Sequence, residues 1–213
     1  MDDAKRAAAE RAAELVQDGQ TVGLGTGSTV YFLIPALVRR GLTGLRCVAT
    51  SQRTEAQARE AGLLVEPFDV LDRLDIAIDG ADQIAPDGWL VKGGGGAHVR
   101  EKVVAQAAAH FVVIADGSKL VDALRAPVPL ELSRFGLQAT LHLVGGLGRV
   151  ALRDAPPSPD GGLIADLEAD PSDPERLAAR LDALQGVTGH GLFAPSARQD
   201  VVVGLPGGGV REL

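Results

Sequence analysis

The 213-residue sequence predicts an α/β fold: a doubly wound, mostly parallel sheet, with a smaller α+β domain inserted near the C-terminus. Three observations carry that expectation. Over the first 120 residues, short and nearly all-apolar runs alternate with stretches of helical period, the pattern of strands covered on both faces by crossover helices. After residue 126 the alternation gives way to strands joined by turn-rich segments. A last apolar run, 200–205, stands beyond those and can return to the first sheet.

Each element follows from its own residues. Ala8, Ala12, Leu15 and Val16 recur at helical spacing, and Gln17-Asp18-Gly19-Gln20 breaks that helix. Residues 21–25 read as a strand, and the turn Gly25-Thr26-Gly27-Ser28 opens a helix over 29–40. A strand over 45–50 follows, then a polar helix over 52–61 closed by Gly62. LDIAID (74–79) is an apolar strand ending in an acid. Val99, Val103, Val104 and Ala107 mark another helix, and FVVIA (111–115) a buried strand ending at Asp116.

Beyond residue 126, 128–132 reads as a strand and 133–144 as a helix. Strands at 149–153 and 163–169 flank the turn-rich PPSPDGG (156–162). Asp173 is placed to cap a helix over 173–185 with Pro174 at its first position, and 187–193 supplies a strand. The order β-α-β-β-α-β is ferredoxin-like. The expected domains are a Rossmann-like unit of residues 1–126 plus 200–213, and an α+β unit of residues 127–199 suited to oligomer contacts.

Composition removes several function classes. Hydrophobic residues make up 46% of the chain and the net charge is −7, so the chain can build a core and is not a disordered polymer. The acidic balance argues against nucleic-acid binding. No run of about 18 apolar residues exists to span a membrane, and the charged N-terminal stretch lacks the apolar core of a secretory leader. Those features and a single cysteine, Cys47, suit a reducing cytoplasm. Cys47 alternates with Leu45 and Ala49 inside a strand, as a core residue does. His98, His110, His142 and His190 are scattered without triad or metal spacing.

Ligands of doubly wound sheets bind beyond the carboxyl ends of the strands, where four segments concentrate the chemistry. GLGTGST (23–29) turns a strand into a helix, so its N–H groups and the hydroxyls of Thr26, Ser28 and Thr29 suit a phosphate. A tight turn without a ligand is the plainer alternative. The segment is neither a Walker loop nor a dinucleotide fingerprint, since Ser28 stands where a third glycine belongs. Asp79, Gly80, Ala81 and Asp82 (DGAD) set two carboxylates within one turn, able to bind hydroxyls, share protons or form an Asx-turn; no histidine or further acid lies at spacing for a metal. KGGGGAHVREK (92–102) holds Lys92, four glycines where backbone must approach a ligand closely, and Glu101 in the first turn of a helix. Glu101 lies off the Val99/Val103/Ala107 stripe, a position for a proton-accepting carboxylate, and Lys92 can stabilise an oxyanion. A solvated Glu–Lys pair is the plain alternative. DGSK (116–119) adds Lys119; it and Lys92 are two of only four lysines.

Taken together, GTGST, DGAD, KGGGGAHVREK, DGSK, PVPLEL and GLF (191–193) resemble ribose-5-phosphate isomerase of the A type over most of the chain. The resemblance implies cofactor-free, metal-free interconversion of D-ribose 5-phosphate and D-ribulose 5-phosphate through an enediolate, in the non-oxidative pentose phosphate pathway. It implies Glu101 as base, Lys92 with Gly93, Gly94 and Gly95 binding and polarising the substrate, and Asp79 and Asp82 contacting sugar hydroxyls and assisting ring opening. Thr26, Gly27, Ser28, Thr29 and Lys119 would complete the phosphosugar site, with Lys5 adding to it. A homodimer or homotetramer is implied as well.

Some positions depart from that family's pattern. Gln83 stands where a glutamate usually follows DGAD, Gly96 extends the glycine loop, SPDGG (158–162) lacks the usual Asn-rich turn, and 194–199 is atypical. Two other classes compete. A non-enzymatic sugar-phosphate sensor would follow a winged helix, whereas the first strand here begins near residue 21. A related sugar-phosphate isomerase or deaminase, or an acyl-CoA transferase, would carry a different pattern around its acid.

Overall fold

A computed structural model describes residues 1–213. Its elements in order are α1 (Asp2–Ala13), β1 (Thr21–Leu24), α2 (Val30–Arg39), β2 (Arg46–Ala49), α3 (Gln52–Glu60) and β3 (Leu74–Gly80). There follow β4 (Gln83–Ile84), β5 (Leu90–Val91), α4 (His98–Ala107), β6 (Ala108–Asp116), β7 (Val128–Leu132) and α5 (Leu137–Gly145). The chain ends with β8 (Arg149–Leu152), β9 (Leu163–Glu168), α6 (Pro174–Asp182), β10 (Val187–His190), β11 (Leu192–Phe193), β12 (Gln199–Gly204) and β13 (Val210–Glu212). It divides into two compact units.

The first unit comprises Met1–Ala81, Arg100–Lys119 and Ser196–Leu213. Its six-stranded sheet runs β13-β12-β6-β3-β1-β2, parallel throughout except for the antiparallel edge strand β13. Strands such as β6 are apolar on both faces because helices cover both, and its residues Phe111–Ala115 are all buried. The apolar run near the C-terminus does return to this sheet, as β12 beside β6. Alanines of α1 (Ala8, Ala9, Ala12) pack with Val22, Leu24, Leu33 and Ile34 in one core. Pro35 interrupts α2 without breaking it: proline lacks the N–H that would bond the Tyr31 carbonyl, and Gln57 Nε2 bonds that oxygen instead at 2.8 Å.

The second unit comprises Asp82–Val99 and Leu120–Pro195. Its four-stranded antiparallel sheet, β10-β7-β9-β8, has the strand order of the ferredoxin-like unit expected from the sequence. Asp173 caps α6 as expected, its side chain accepting from the Arg176 N–H at 3.1 Å, with Pro174 first in the helix. Two expectations need correction. The boundary at 126/127 places 82–99 with the wrong unit, because β4 and β5 pair with each other and with β11 in a small separate sheet, and the Val121 N–H bonds the Ile84 carbonyl. The expected strand over 187–193 is two strands, broken where the Gly191 N–H turns to the Pro129 carbonyl at 2.7 Å.

Candidate active site

In the first unit the strand order reverses between β1 and β3, the position where doubly wound sheets bind ligands. The loops after β1, β3 and β6 leave from neighbouring strands. Asp79 is 3% exposed at the end of β3, and its Oδ1 accepts from the N–H groups of Thr26 (2.9 Å) and Gly80 (2.7 Å). The Asx-type bonding considered for Asp79 is therefore real, and it fastens the phosphate-loop candidate to the acid. Thr26 Oγ1 meets Thr50 Oγ1 at 2.7 Å, and Thr54 Oγ1 donates to the Gly25 carbonyl at 2.8 Å. Sequence reasoning passed over Thr50 and Thr54. Their signal was a buried hydroxyl one strand away, legible only after β1 and β2 are paired.

Gly27 lies at φ 122°, and α2 starts directly after Thr29, so the 26–29 turn sits at a helix N-terminus as expected. Lys5 Nζ donates to Ser28 Oγ at 2.9 Å. Burial pushes the Asp116 carboxyl up, but the hydrogen bonds from Ser118, with the ammonium groups of Lys5 and Lys119, outweigh it and hold it below the usual carboxylate range. Lys5, Ser28, Asp116 and Lys119 thus form a cluster of cations and donors with one resident anion.

Glu101 is 4% exposed, and here the expected helix face is corrected. The buried stripe of α4 is His98, Glu101 and Val104, continued by Ala108, whereas Val103 is 49% exposed. Glu101 is therefore on the inward face. A Cβ on Gly23 would stand 2.5 Å from Val104 Cγ1, so the bare backbone of β1 is what admits this helix face.

In the second unit Lys92 is 2% exposed, with Nζ 5.4 Å from the Phe193 ring centroid; an aromatic face is a favourable neighbour for an ammonium group. The Lys92 N–H bonds the Gly191 carbonyl at 2.8 Å, which explains why GLF belongs with the site motifs. Gly93 sits at φ 105° with His98 Nδ1 2.7 Å from where its Cβ would be, so no side chain fits there. Asp82 Oδ2 accepts from the Gly94 N–H at 2.7 Å, and its own N–H bonds the Val91 carbonyl. Gln83 is more than a lost glutamate: its amide donates to the Arg125 carbonyl at 2.8 Å and accepts from the Arg125 N–H at 2.7 Å, a pairing a carboxylate cannot complete. Arg153, which the sequence reading did not single out, donates to the carbonyls of Gly93 and Gly94.

Cys47 is buried among apolar groups, and burial pushes its thiol up to about 12. It is a packing residue, not a nucleophile.

Comparison with known proteins points the same way as this geometry. The family model for ribose 5-phosphate isomerase A (phosphoriboisomerase A) matches residues 46–208. The chain is 42% identical to ribose-5-phosphate isomerase A of Caulobacter vibrioides, over 99% of this chain and 97% of that protein. The crystal structure of ribose 5-phosphate isomerase A from Neisseria gonorrhoeae superimposes with a TM-score of 0.92 at 32% identity, covering 98% of this chain and 95% of that one. A D-ribose-5-phosphate isomerase solved in complex with phospho-erythronic acid does so at 0.90 and 32% identity, over 98% and 96%. With the buried acid, the glycine loop and the doubly wound sheet all accounted for, the chain belongs to the ribose-5-phosphate isomerase A family.

Proposed function

We propose that the protein is an aldose–ketose isomerase that interconverts D-ribose 5-phosphate and D-ribulose 5-phosphate through an enediolate. The observation that carries this reading is Glu101, a carboxylate 4% exposed on the inward face of α4, in a chain similar end to end to that family. Isomerisation requires one base to move a proton between adjacent carbons, donors for the oxygen that gains charge, and an anchor for the phosphate. Glu101 is the base; a positioned base typically contributes about 10²–10⁴-fold. Lys92 with the Gly93, Gly94 and Gly95 loop binds and polarises the substrate. The Gly94 N–H holds Asp82, while Lys92 and the Gly95 amide stabilise the enediolate oxygens, usually the larger contribution. Asp79, Gly80, Ala81 and Asp82 hold sugar hydroxyls and assist ring opening. Thr26, Gly27, Ser28 and Thr29, with Lys119 and Lys5, take the phosphate.

The reading extends to assembly and location. Phe135 is 93% and Leu143 51% exposed on the second unit, apolar area suited to a second copy in a homodimer or homotetramer. No helix is long and apolar enough to cross a membrane, and the single, buried Cys47 suits the cytoplasm.

The deciding experiment incubates the protein with ribose 5-phosphate in deuterated water. The reading requires ribulose 5-phosphate to accumulate with deuterium at the carbon that receives the transferred proton. Absence of ketose under those conditions removes it.

A further inference from the structure

Arg153 stands one residue beyond β8, and both ends of its guanidinium are engaged. Nε and Nη2 form a two-point pair with Asp166 on β9, at 2.8 and 2.7 Å. Nη1 donates to the carbonyls of Gly93 at 2.8 Å and Gly94 at 3.1 Å. The backbone beneath it is fixed too, since the Arg153 N–H bonds the Ile164 carbonyl at 2.9 Å. Its side chain is only 21% exposed. The hydrogen bonds to Asp166 raise its pKa further, against the pull of burial.

The consequence lies in the peptide planes. The only cis bond of the chain is Ala126–Pro127, so the 93–94 and 94–95 peptides are trans and planar, with C=O and N–H pointing in opposite directions. Holding the Gly93 carbonyl toward Arg153 turns the Gly94 N–H away, and that N–H meets Asp82 Oδ2. Holding the Gly94 carbonyl turns the Gly95 N–H away in the same manner, at an exposed residue. Consecutive glycines lack side chains that would resist rotation of these planes. Inside the loop the Gly96 N–H bonds the Gly93 carbonyl at 3.0 Å. Arg153 adds a second hold on that carbonyl from outside the loop and reaches the Gly94 carbonyl as well.

We propose that Arg153, clamped by Asp166, is a positioning residue for isomerisation, locking the Gly93 and Gly94 carbonyls so that the Gly94 and Gly95 amides face Asp82 and the substrate oxygen. The inference rests on the isomerase reading above. Lysine cannot replace it, because one ammonium group cannot grip both carboxylate oxygens and also reach two carbonyls. Displaced amide donors still allow the phosphate to bind but no longer meet the charge of the enediolate, so the loss falls on kcat.

The test compares wild type with Arg153→Lys, Asp166→Asn and the double variant, by steady-state kinetics on ribose 5-phosphate and by thermal melting. Expected is a fall in kcat of about tenfold or more in each single variant, with KM within about threefold, and a double variant no worse than the poorer single, because the pair acts as one unit. A kcat close to wild type in Arg153→Lys, a change in KM alone, or a loss matching the fraction unfolded overturns the positioning role. Should Arg153→Lys fail to fold, Asp166→Asn, which keeps the shape of β9, decides by the same criteria. A wild-type protein that leaves ribose 5-phosphate unchanged would sink the isomerase reading instead, whatever the variants do.

Discussion

Asp79 Oδ1 occupies the space that a side chain at position 25 would need: a Cβ on Gly25 would lie 1.9 Å from it. The same oxygen receives the Thr26 N–H, so acid and loop are a single fitted piece. Gly25→Ala must push one away from the other. Overpacking of this kind costs typically ~1–3 kcal/mol, and here the displaced groups are those proposed to hold the sugar. Expected are a lower urea midpoint and a raised KM for ribose 5-phosphate; unchanged values for both would show that the loop tolerates the methyl group.

Glu101→Gln removes the proposed base while keeping shape and burial. Turnover should drop by about 10²–10⁴-fold, whereas binding of ribose 5-phosphate, measured calorimetrically, should persist. Turnover near wild type would reject Glu101 as base.

The cluster of Lys5, Ser28 and Lys119 predicts where phosphate affinity resides. Lys5→Ala and Lys119→Ala should each raise KM about tenfold or more, the scale of a hydrogen bond to a charged group, with smaller changes in kcat. Unphosphorylated ribose should be a poor substrate of the wild type and should not distinguish the variants. A kcat-only effect would move these lysines out of the phosphate site.

Asp116 supplies a pH prediction. Its folded pKa is below the ordinary value, so its ionised form stabilises the fold. That contribution is fully present above the unfolded value of about 3.9, and it disappears as the pH falls through the lower folded one. The stability margin of wild type over Asp116→Asn should be flat from neutral pH to about pH 5 and narrow below pH 4. Urea titrations across that range measure it, and a margin that widens in acid contradicts the assignment.

Cys47, with its thiol at about 12, should resist iodoacetamide in the native state and react on unfolding, and Cys47→Ala should retain kcat. Rapid native labelling that abolishes activity would contradict the packing role of Cys47.

The parallel sheet was legible because β1, β2, β3, β6 and β12 are each nearly continuous apolar runs, a pattern that only two-sided burial sustains. Asp79 stood out because it ends one such strand at a glycine-rich turn. Lys92 and Glu101 did so because they bracket a run of four glycines, although that run follows the short antiparallel β5 and not a strand of the parallel sheet. The β4-β5-β11 sheet was not, since each strand has two residues and no period can be read from two positions. The face of α4 was misread because Val99, Val103, Val104 and Ala107 supply apolar groups around much of the helix, so spacing alone could not choose the inward side. Arg153 lies 60 positions from Gly93, and no local pattern marks such a partnership.

Gly23 shows how far the reaction depends on the floor beneath it. Because Val104 Cγ1 fills the space where its Cβ would stand, a single added methyl on β1 would lift α4, and the carboxylate one turn earlier would travel with it. The reach of the proposed base is then adjustable from a residue on β1, and variation there would tune rate while the proposed site side chains stay the same.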